Sequence, residues 1–284
     1  MSNYEIQQSY LLIINDLNLN SNVNALQIQG TINSNINNGI VETTIDIYNM
    51  SESNRNKCLA KKKNEITLFL NQTLAFEGYI INSDLRKDNN YTQTVFRLYC
   101  NSYLPPTDKL IYSKNNTSYA AVIQEFALKT NTIIAIQDKT LFDIKSKVNL
   151  KADNLYKAVE KIKKATGTKA LFSKNEIKFI SPDKKIKYNQ TLIPPKKILL
   201  GGLSTTALSP YGKFFINCKY TPINIGDHVN IENSDYVKLS SVNFTFPLIF
   251  RQENEFKVLA VTHEFDYYGG RFETKIEGIW VWEN

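Results

Sequence analysis

Glycine and proline are scarce, at 11 and 8 in a chain of 284 residues. That excludes collagen-like repeats and linker-dominated designs. Long apolar runs are missing too. Tyr10 to Ile14, the longest near the amino terminus, falls far short of the roughly 20 residues that cross a bilayer, so no membrane-spanning segment is expected. The opening MSNYEIQQSYLLIIND has no basic stretch, no adequate apolar core and no small-residue cleavage site, the three parts of a secretion signal. Cysteine occurs only at Cys58, Cys100 and Cys218, with no C-x-x-C spacing. An odd, scattered set of this kind reads as reduced structural thiols in a reducing compartment.

Recognisable chemistry is equally thin. The chain has no P-loop, no G-x-G-x-x-G and no G-x-S-x-G. Gly201-Gly202-Leu203-Ser204 is not placed at a helix start and reads as a loop or β-turn. Only two histidines exist, His228 and His263. His263 is followed by Glu264 and, two residues later, Asp266. Adjacent strand residues point to opposite faces, so these groups do not converge on a metal, and His263 is expected among Leu259, Val261 and Phe265 as a structural residue. No thiol has the cationic or helix-start setting of a nucleophile, because Cys58 falls late in its short helix. Nothing nominates a catalytic residue, a metal site or a cofactor, and we expect a protein that is not an enzyme.

What is present is a large apolar and aromatic content, with 16 Tyr and 15 Phe, which is too rich for a disordered chain. Up to about residue 104 the pattern is β. Leu26, Ile28, Gly30 and Ile32 alternate with Gln27, Gln29 and Thr31. After the turn signal Asn38-Gly39, the residues Val41, Thr43, Ile45 and Ile47 share one face while Glu42, Thr44, Asp46 and Tyr48 share the other. Ser51 offers an N-cap to a short helix. Strands are expected over 66–70, 74–83 and 92–100, with another near Tyr10 to Ile14.

Pro105-Pro106 and Pro194-Pro195 punctuate the chain. Between them one helix is expected from Ser118 to Lys129, burying Ala121, Val122, Phe126 and Ala127. A second, from Asn154 to Thr166, carries the stripe Leu155, Ala158, Val159, Ile162 and Ala165, with Gly167 as its stop. Strands are expected at Thr132 to Ile136 and in the hairpin Lys169–Phe172/Glu176–Ile180. Beyond residue 198 the pattern returns to β, with strands at 213–219, 228–231 and 237–246 and a hairpin of 256–265 and 272–281 turning at Gly269-Gly270. The expected architecture is mainly β with an α+β insert: two small β-barrel-like domains, 1–104 and 198–284, flanking a helix-strand domain, 105–197.

The formal charge is +7, and it is unevenly placed. Residues 105–197 hold 19 basic and 8 acidic groups, a net of +11, against −1 for residues 1–104 and −3 for 198–284. Lys157, Lys161, Lys163 and Lys164 lie on or beside the exposed side of the second helix, and Lys184, Lys185 and Lys187 follow the hairpin. These seven are candidate contacts for an anionic partner. The alternative is a solvated lysine surface, and the absence of Arg and of interleaved aromatics argues against bidentate phosphate recognition or base stacking. A nucleic-acid-binding module acting through this basic segment is the second functional reading; a cell-wall hydrolase, with no nominated carboxylate pair, is the third.

The order of phrases is more specific than any motif. TTIDIYNMSESNRNKCLAKKKNEITLFL resembles the opening domain of tailed-phage baseplate hub proteins of the Mu-like, late-control-protein type, in which a strand ends in an apolar-x-Tyr-Asn-Leu-Ser phrase before a short helix. Ile45, Ile47, Tyr48, Asn49, Met50 and Ser51 match, with Met50 where Leu is commoner. FEGYIINSDLRKDNNYTQTVFRLYCNS is similar to the family's next hairpin, and SYAAVIQEFALKTN and DNLYKAVEKIKKATGTKALFSKNEIKFISP to its two helix-strand modules. INIGDHVNIEN resembles a Pro-Gly-Asp-x-Val-x-Ile phrase with Ile225 in place of Pro, and Val261, Thr262, His263 and Asp266 match its closing Val-Thr-His-x-x-Asp. The resemblance implies a structural virion protein of the tail tip, assembled in the host bacterial cytoplasm. It implies a homotrimer that joins the tail tube and distal tail proteins to a spike or fibre, with DNA only in transit through its lumen.

Overall fold

The computed structural model describes residues 8–23, 25–87, 93–106, 109–137, 139–180, 190–193, 198–206, 213–231 and 255–280. The chain divides into two compact units. One comprises residues 1–35, 42–100 and 185–284; the other comprises 36–41 and 101–184. The architecture is mainly β with a helix-strand insert, as the sequence pattern implies.

The first unit contains β1 (Tyr10–Ile14), β2 (Leu17–Asn20), β3 (Ile28–Asn35), β4 (Glu42–Tyr48), α1 (Glu52–Cys58), β5 (Glu65–Leu70), β6 (Thr73–Lys87) and β7 (Thr94–Asn101). Their alternation of apolar and polar residues is that of half-buried strands. In α1, Ser51 Oγ accepts from the Asn54 amide, Glu52 lies in the first turn, and Arg55 and Lys57 lie in the last, so cap and dipole agree.

The insert follows: β8 (Leu110–Thr117), α2 (Tyr119–Thr130), β9 (Ile133–Ile136), β10 (Ser146–Ala152), α3 (Leu155–Thr166), β11 (Lys169–Phe172) and β12 (Glu176–Ile180). β8 pairs with β10, and β12 lies between β11 and a parallel β9. Asn154 Oδ1 caps α3 through the Lys157 amide, and Gly167 ends it at φ 69°, a left-handed conformation that costs glycine little. Leu155, Ala158, Val159 and Ile162 are buried, whereas Ala165 is exposed, having rotated off the stripe by the last turn. In α2 the buried set is Val122, Ile123 and Phe126. Ala121, expected inside, is exposed, because the contact face is centred between Val122 and Phe126 and takes in Ile123 instead. Around these helices Phe142 and Phe179 meet edge to face at 5.1 Å.

Asn38-Gly39 does form a turn, and residues 36–41 are packed into this insert. Gly39 sits at φ 70°, and a Cβ there would stand 1.9 Å from the Ala170 carbonyl oxygen. Its own carbonyl accepts from the Phe172 amide at 2.7 Å.

The chain then returns to the first unit with β13 (Gln190–Ile193), β14 (Ile198–Thr206), β15 (Lys213–Lys219), β16 (His228–Ile231), β17 (Glu255–Asp266) and β18 (Arg271–Trp280). Gly201-Gly202, read above as a loop or turn, lies inside β14, where the register with β15 shifts between Ile198 and Leu203. Glycine inside a strand marks such an irregularity. The expected strand 237–246 and the Pro194-Pro195 boundary lie outside the described residues.

Thirteen strands form one sheet, in the order β14-β15-β18-β17-β3-β4-β7-β6-β5-β1-β2, with β16 and β13 attached beside β17. The strands from the two ends of the sequence are therefore hydrogen-bonded to one another, through β3 and β17. At that junction Gly30 lies opposite Phe265 on one side and Ile45 on the other. A Cβ on Gly30 would meet the Thr44 carbonyl oxygen at 2.1 Å and the Phe265 ring at 2.7 Å. Glycine is what allows the ring to lie there.

Candidate functional site

The sheet has two chemically opposite faces, and its register sets them out in rows. On one face Thr274, His263, Ile32 and Thr43 stand in line, with Phe265 and Ile45 beside Gly30 in the neighbouring row. These side chains are buried. The other face is polar. Arg271, Asp266, Gln29 and Asp46 follow one another across β18, β17, β3 and β4, and Asp46 continues the row to Arg97 of β7. The next row is Glu273, Glu264, Thr31 and Thr44, and the one after is Lys275, Thr262, Asn33 and Glu42.

Within this face each described arginine is held by carboxylates. Arg97 grips Asp46 with two parallel bonds, Nε to Oδ1 and a terminal nitrogen to Oδ2, both 2.6 Å. Asp46 is only 5% exposed, and the carboxylate raises the guanidinium pKa further. Gln29 donates to Asp46 at 3.4 Å. Glu264 and Glu273 face each other directly, an unfavourable like-charge pair that Arg271 bridges at 2.6 and 3.3 Å. Lys275 reaches Glu264 from the other diagonal. On β6, Arg86 bonds Asp84 at 2.9 Å and holds its carboxyl below the usual range, with Tyr99 also touching it. A shallow open depression lies over Gln29, Thr31, Asp46, Arg97, Glu264 and Arg271. With Asp266 also in its lining, Asp46, Glu264 and Asp266 stand against Arg97 and Arg271, so most of its charge is compensated and one carboxylate is in excess. Alternation in the sequence places Asp46 on the polar side of its strand, but nothing in it announces the partnership with Arg97.

The second feature is an edge. β5 pairs with β6 only as far as Tyr79, and the Ile80 amide closes the ladder on Asn64. Among the described residues no strand pairs with the same side of β6 beyond that point. Ile81 and Leu85, on one face of this projecting half, are 51% and 56% exposed. β14, at one end of the sheet order, also has a partner on one side only among the described strands.

His263 is 7% exposed and shares Thr274 Oγ1 at 2.9 Å through Nδ1, while its ring packs 5.3 Å from that of Tyr220. Burial lowers its pKa to about 4, so it is neutral at pH 7. Leu259, expected on the same face, sits instead at a bulge between Val258 and Ala260. The bulge switches the inward parity from Phe256 and Val258 to Val261, His263 and Phe265. The thiols of Cys58 and Cys100 are pushed up by burial to about 11 and about 12, and both stay protonated. Among the described residues no His, Cys, Asp and Glu side chains gather into a metal-binding group, and no helix is long and apolar enough to cross a membrane.

Of the seven lysines singled out by charge, Lys157, Lys161 and Lys164 are exposed on α3. Lys163 is turned inward, 8% exposed, with its ammonium 2.6 Å from Glu160, so it is not available at the surface as the sequence reading has it. Its stem covers apolar surface while its charge is satisfied locally. Lys184, Lys185 and Lys187 lie outside the described residues.

No family model and no curated protein sequence matches the chain. Solved structures do. A tail protein from Neisseria meningitidis superposes with a TM-score of 0.63 over 96% of both chains at 6% identity. A 43 kDa tail protein of prophage MuSo2 from Shewanella oneidensis superposes with a TM-score of 0.59, covering 95% of this chain and 96% of that one at 8% identity. A third is an E. coli component of the type VI secretion system that exhibits structural similarity to the T4 bacteriophage tail proteins gp27 and gp5. It covers 96% of this chain and 77% of that one, with a TM-score of 0.61 and 9% identity. The continuous sheet with its helix-strand insert is the fold of phage tail proteins and of this secretion-system component, and the chain belongs with them in fold.

Proposed function

We propose that the protein is a structural, non-catalytic component of a phage or phage-like tail: the central hub at the tail tip, which joins the tail tube to a spike or fibre and surrounds the genome path. The observation that carries this reading is the large sheet, with one buried face, one largely charge-compensated polar face and two strand edges, on β6 and β14, open to further pairing. A polar face whose cations are held by carboxylates, with carboxylates in slight excess, suits a lumen through which a polyanion passes without sticking. Open strand edges suit addition of another chain's strand, and the apolar Ile81 and Leu85 beside one of them favour burial there. We read the assembly as a homotrimer, with the basic segment 105–197 as a separate domain between the β segments 1–104 and 198–284. Its partners are then tail-tube and distal tail proteins above and a spike or fibre below, and assembly takes place in the host cytoplasm.

Light scattering on the purified chain, coupled to gel filtration, tests this. The expected mass is three times that of the chain, and the pair Ile81→Lys and Leu85→Lys is expected to shift the protein to monomer without lowering its melting temperature. A monomer that also fails to associate with tail-tube protein overturns the hub reading.

A further inference from the structure

The insert carries a surface that the hub reading does not use. In the β8–β10 sheet the inward side chains are Leu110, Tyr112, Val148, Leu150 and Ala152, all buried. The opposite side faces solvent. There Lys151 stands across from Ile111 and Asn149 across from Ser113, with Lys147 on the same face of β10. Ile111 is 61% exposed, and so is much of Ile144 just ahead of β10, at 63%. α3 extends the surface at the strand's side, since Lys161 Nζ donates to the Lys151 carbonyl at 2.5 Å. Lys157 and Lys164 follow one helical turn before and after it.

Local carboxylates do not quench this charge. Glu160 is engaged by the inward Lys163, and Glu125 by Lys129 at 2.6 Å. Asp143 and Asp153, the acids flanking β10, are outnumbered by Lys145, Lys147, Lys151, Lys157 and Lys161. The contrast with the large sheet, where each arginine has its carboxylate, is direct.

We propose that this face docks an acidic segment of another protein, one in which carboxylates alternate with aliphatic side chains. The carboxylates meet Lys147, Lys151 and Lys161, and the aliphatic groups cover Ile111. Two facts favour protein over nucleic acid. Every basic residue in 105–197 is lysine, with no arginine for bidentate phosphate contacts. An exposed isoleucine at the centre of the patch has no use against a phosphate backbone, but it gains from burial against another apolar group.

The test uses the full-length protein and three fluorescent probes: a peptide of alternating Glu and Leu, an all-Glu peptide of equal charge, and a DNA duplex of equal charge. Anisotropy titrations at low and moderate salt are expected to rank the Glu-Leu peptide first, by about fivefold or more over either rival. Lys147→Glu with Lys151→Glu is expected to weaken that peptide at least tenfold, and Ile111→Ser about fivefold, with unchanged melting temperatures. Should the paired reversal fail to fold, Lys147→Glu alone is read out in the same way. DNA binding as tightly as the peptide, no binding of the peptide, or an Ile111→Ser variant that binds it normally overturns the proposal. None of these outcomes depends on oligomeric mass, so the proposal and the hub reading can fail separately.

Discussion

Removing one partner of the Asp46–Arg97 pair should be far more harmful from one side than from the other. Arg97→Ala leaves a carboxylate that is 5% exposed with a single weak donor, Gln29 at 3.4 Å. A buried charge stripped of its partner costs about 3–5 kcal/mol, and the edge of access to water puts this case near the lower figure, about 3 kcal/mol. Asp46→Ala leaves a guanidinium whose side chain is 30% exposed and can turn to water and Tyr99. Its cost is about 1.5 kcal/mol, the lower end of the range for a lost hydrogen bond to a charged group. The double variant should cost less than the sum by about 1–2 kcal/mol, because the residues share their contact. Urea unfolding followed by tryptophan fluorescence reads this out, since Trp280 at the end of β18 belongs to the unit that holds the pair. Equal losses for the two single variants, or additive losses in the double, would refute the reasoning that Asp46 is the stranded charge.

Two further outcomes follow from the buried face. His263 has a folded pKa near 4 against 6.5 in the unfolded chain, so its contribution is complete above pH 6.5 and is lost progressively as pH falls towards 4. The shift corresponds to about 3 kcal/mol in all, and urea midpoints should fall between pH 6.5 and 5 in the parent but stay flatter in His263→Gln; parallel profiles would count against it. Gly30→Ala should cost about 3 kcal/mol or more, because the added methyl meets a backbone oxygen and the Phe265 ring. A melting temperature within a degree of the parent's would show that the β3–β17 junction yields easily.

Local features were the readable ones. Ser51 and Gly167 cap their helices as their residue types imply, and the β17–β18 hairpin turns at Gly269-Gly270 as its punctuation implies. α3 is legible because its four inward residues repeat at helical spacing. β8 and β10 were not foreseen. Their buried residues alternate, but Lys, Asn and Ser fill the other positions and weaken the β signal. The bulge at Leu259 was invisible because an extra residue shifts parity without leaving a compositional mark. The polar rows needed knowledge of which strands are neighbours. Alternation assigns Asp46, Gln29 and Glu264 each to a polar side, but it carries no information on which strand lies next to which.

The β3–β17 seam also sets a schedule. Ser34 of β3 donates to the Val261 carbonyl, a partner 227 positions later in the chain. At a ribosome's pace of about 5–20 residues per second, β3 waits roughly ten to forty-five seconds for that strand to be synthesised. Until then its hydrogen-bonding side and the hollow at Gly30 have nothing to receive. A chain cut short before β17 leaves this side of β3 without its strand, so the large sheet is assembled from both ends of the sequence only after β17 is made.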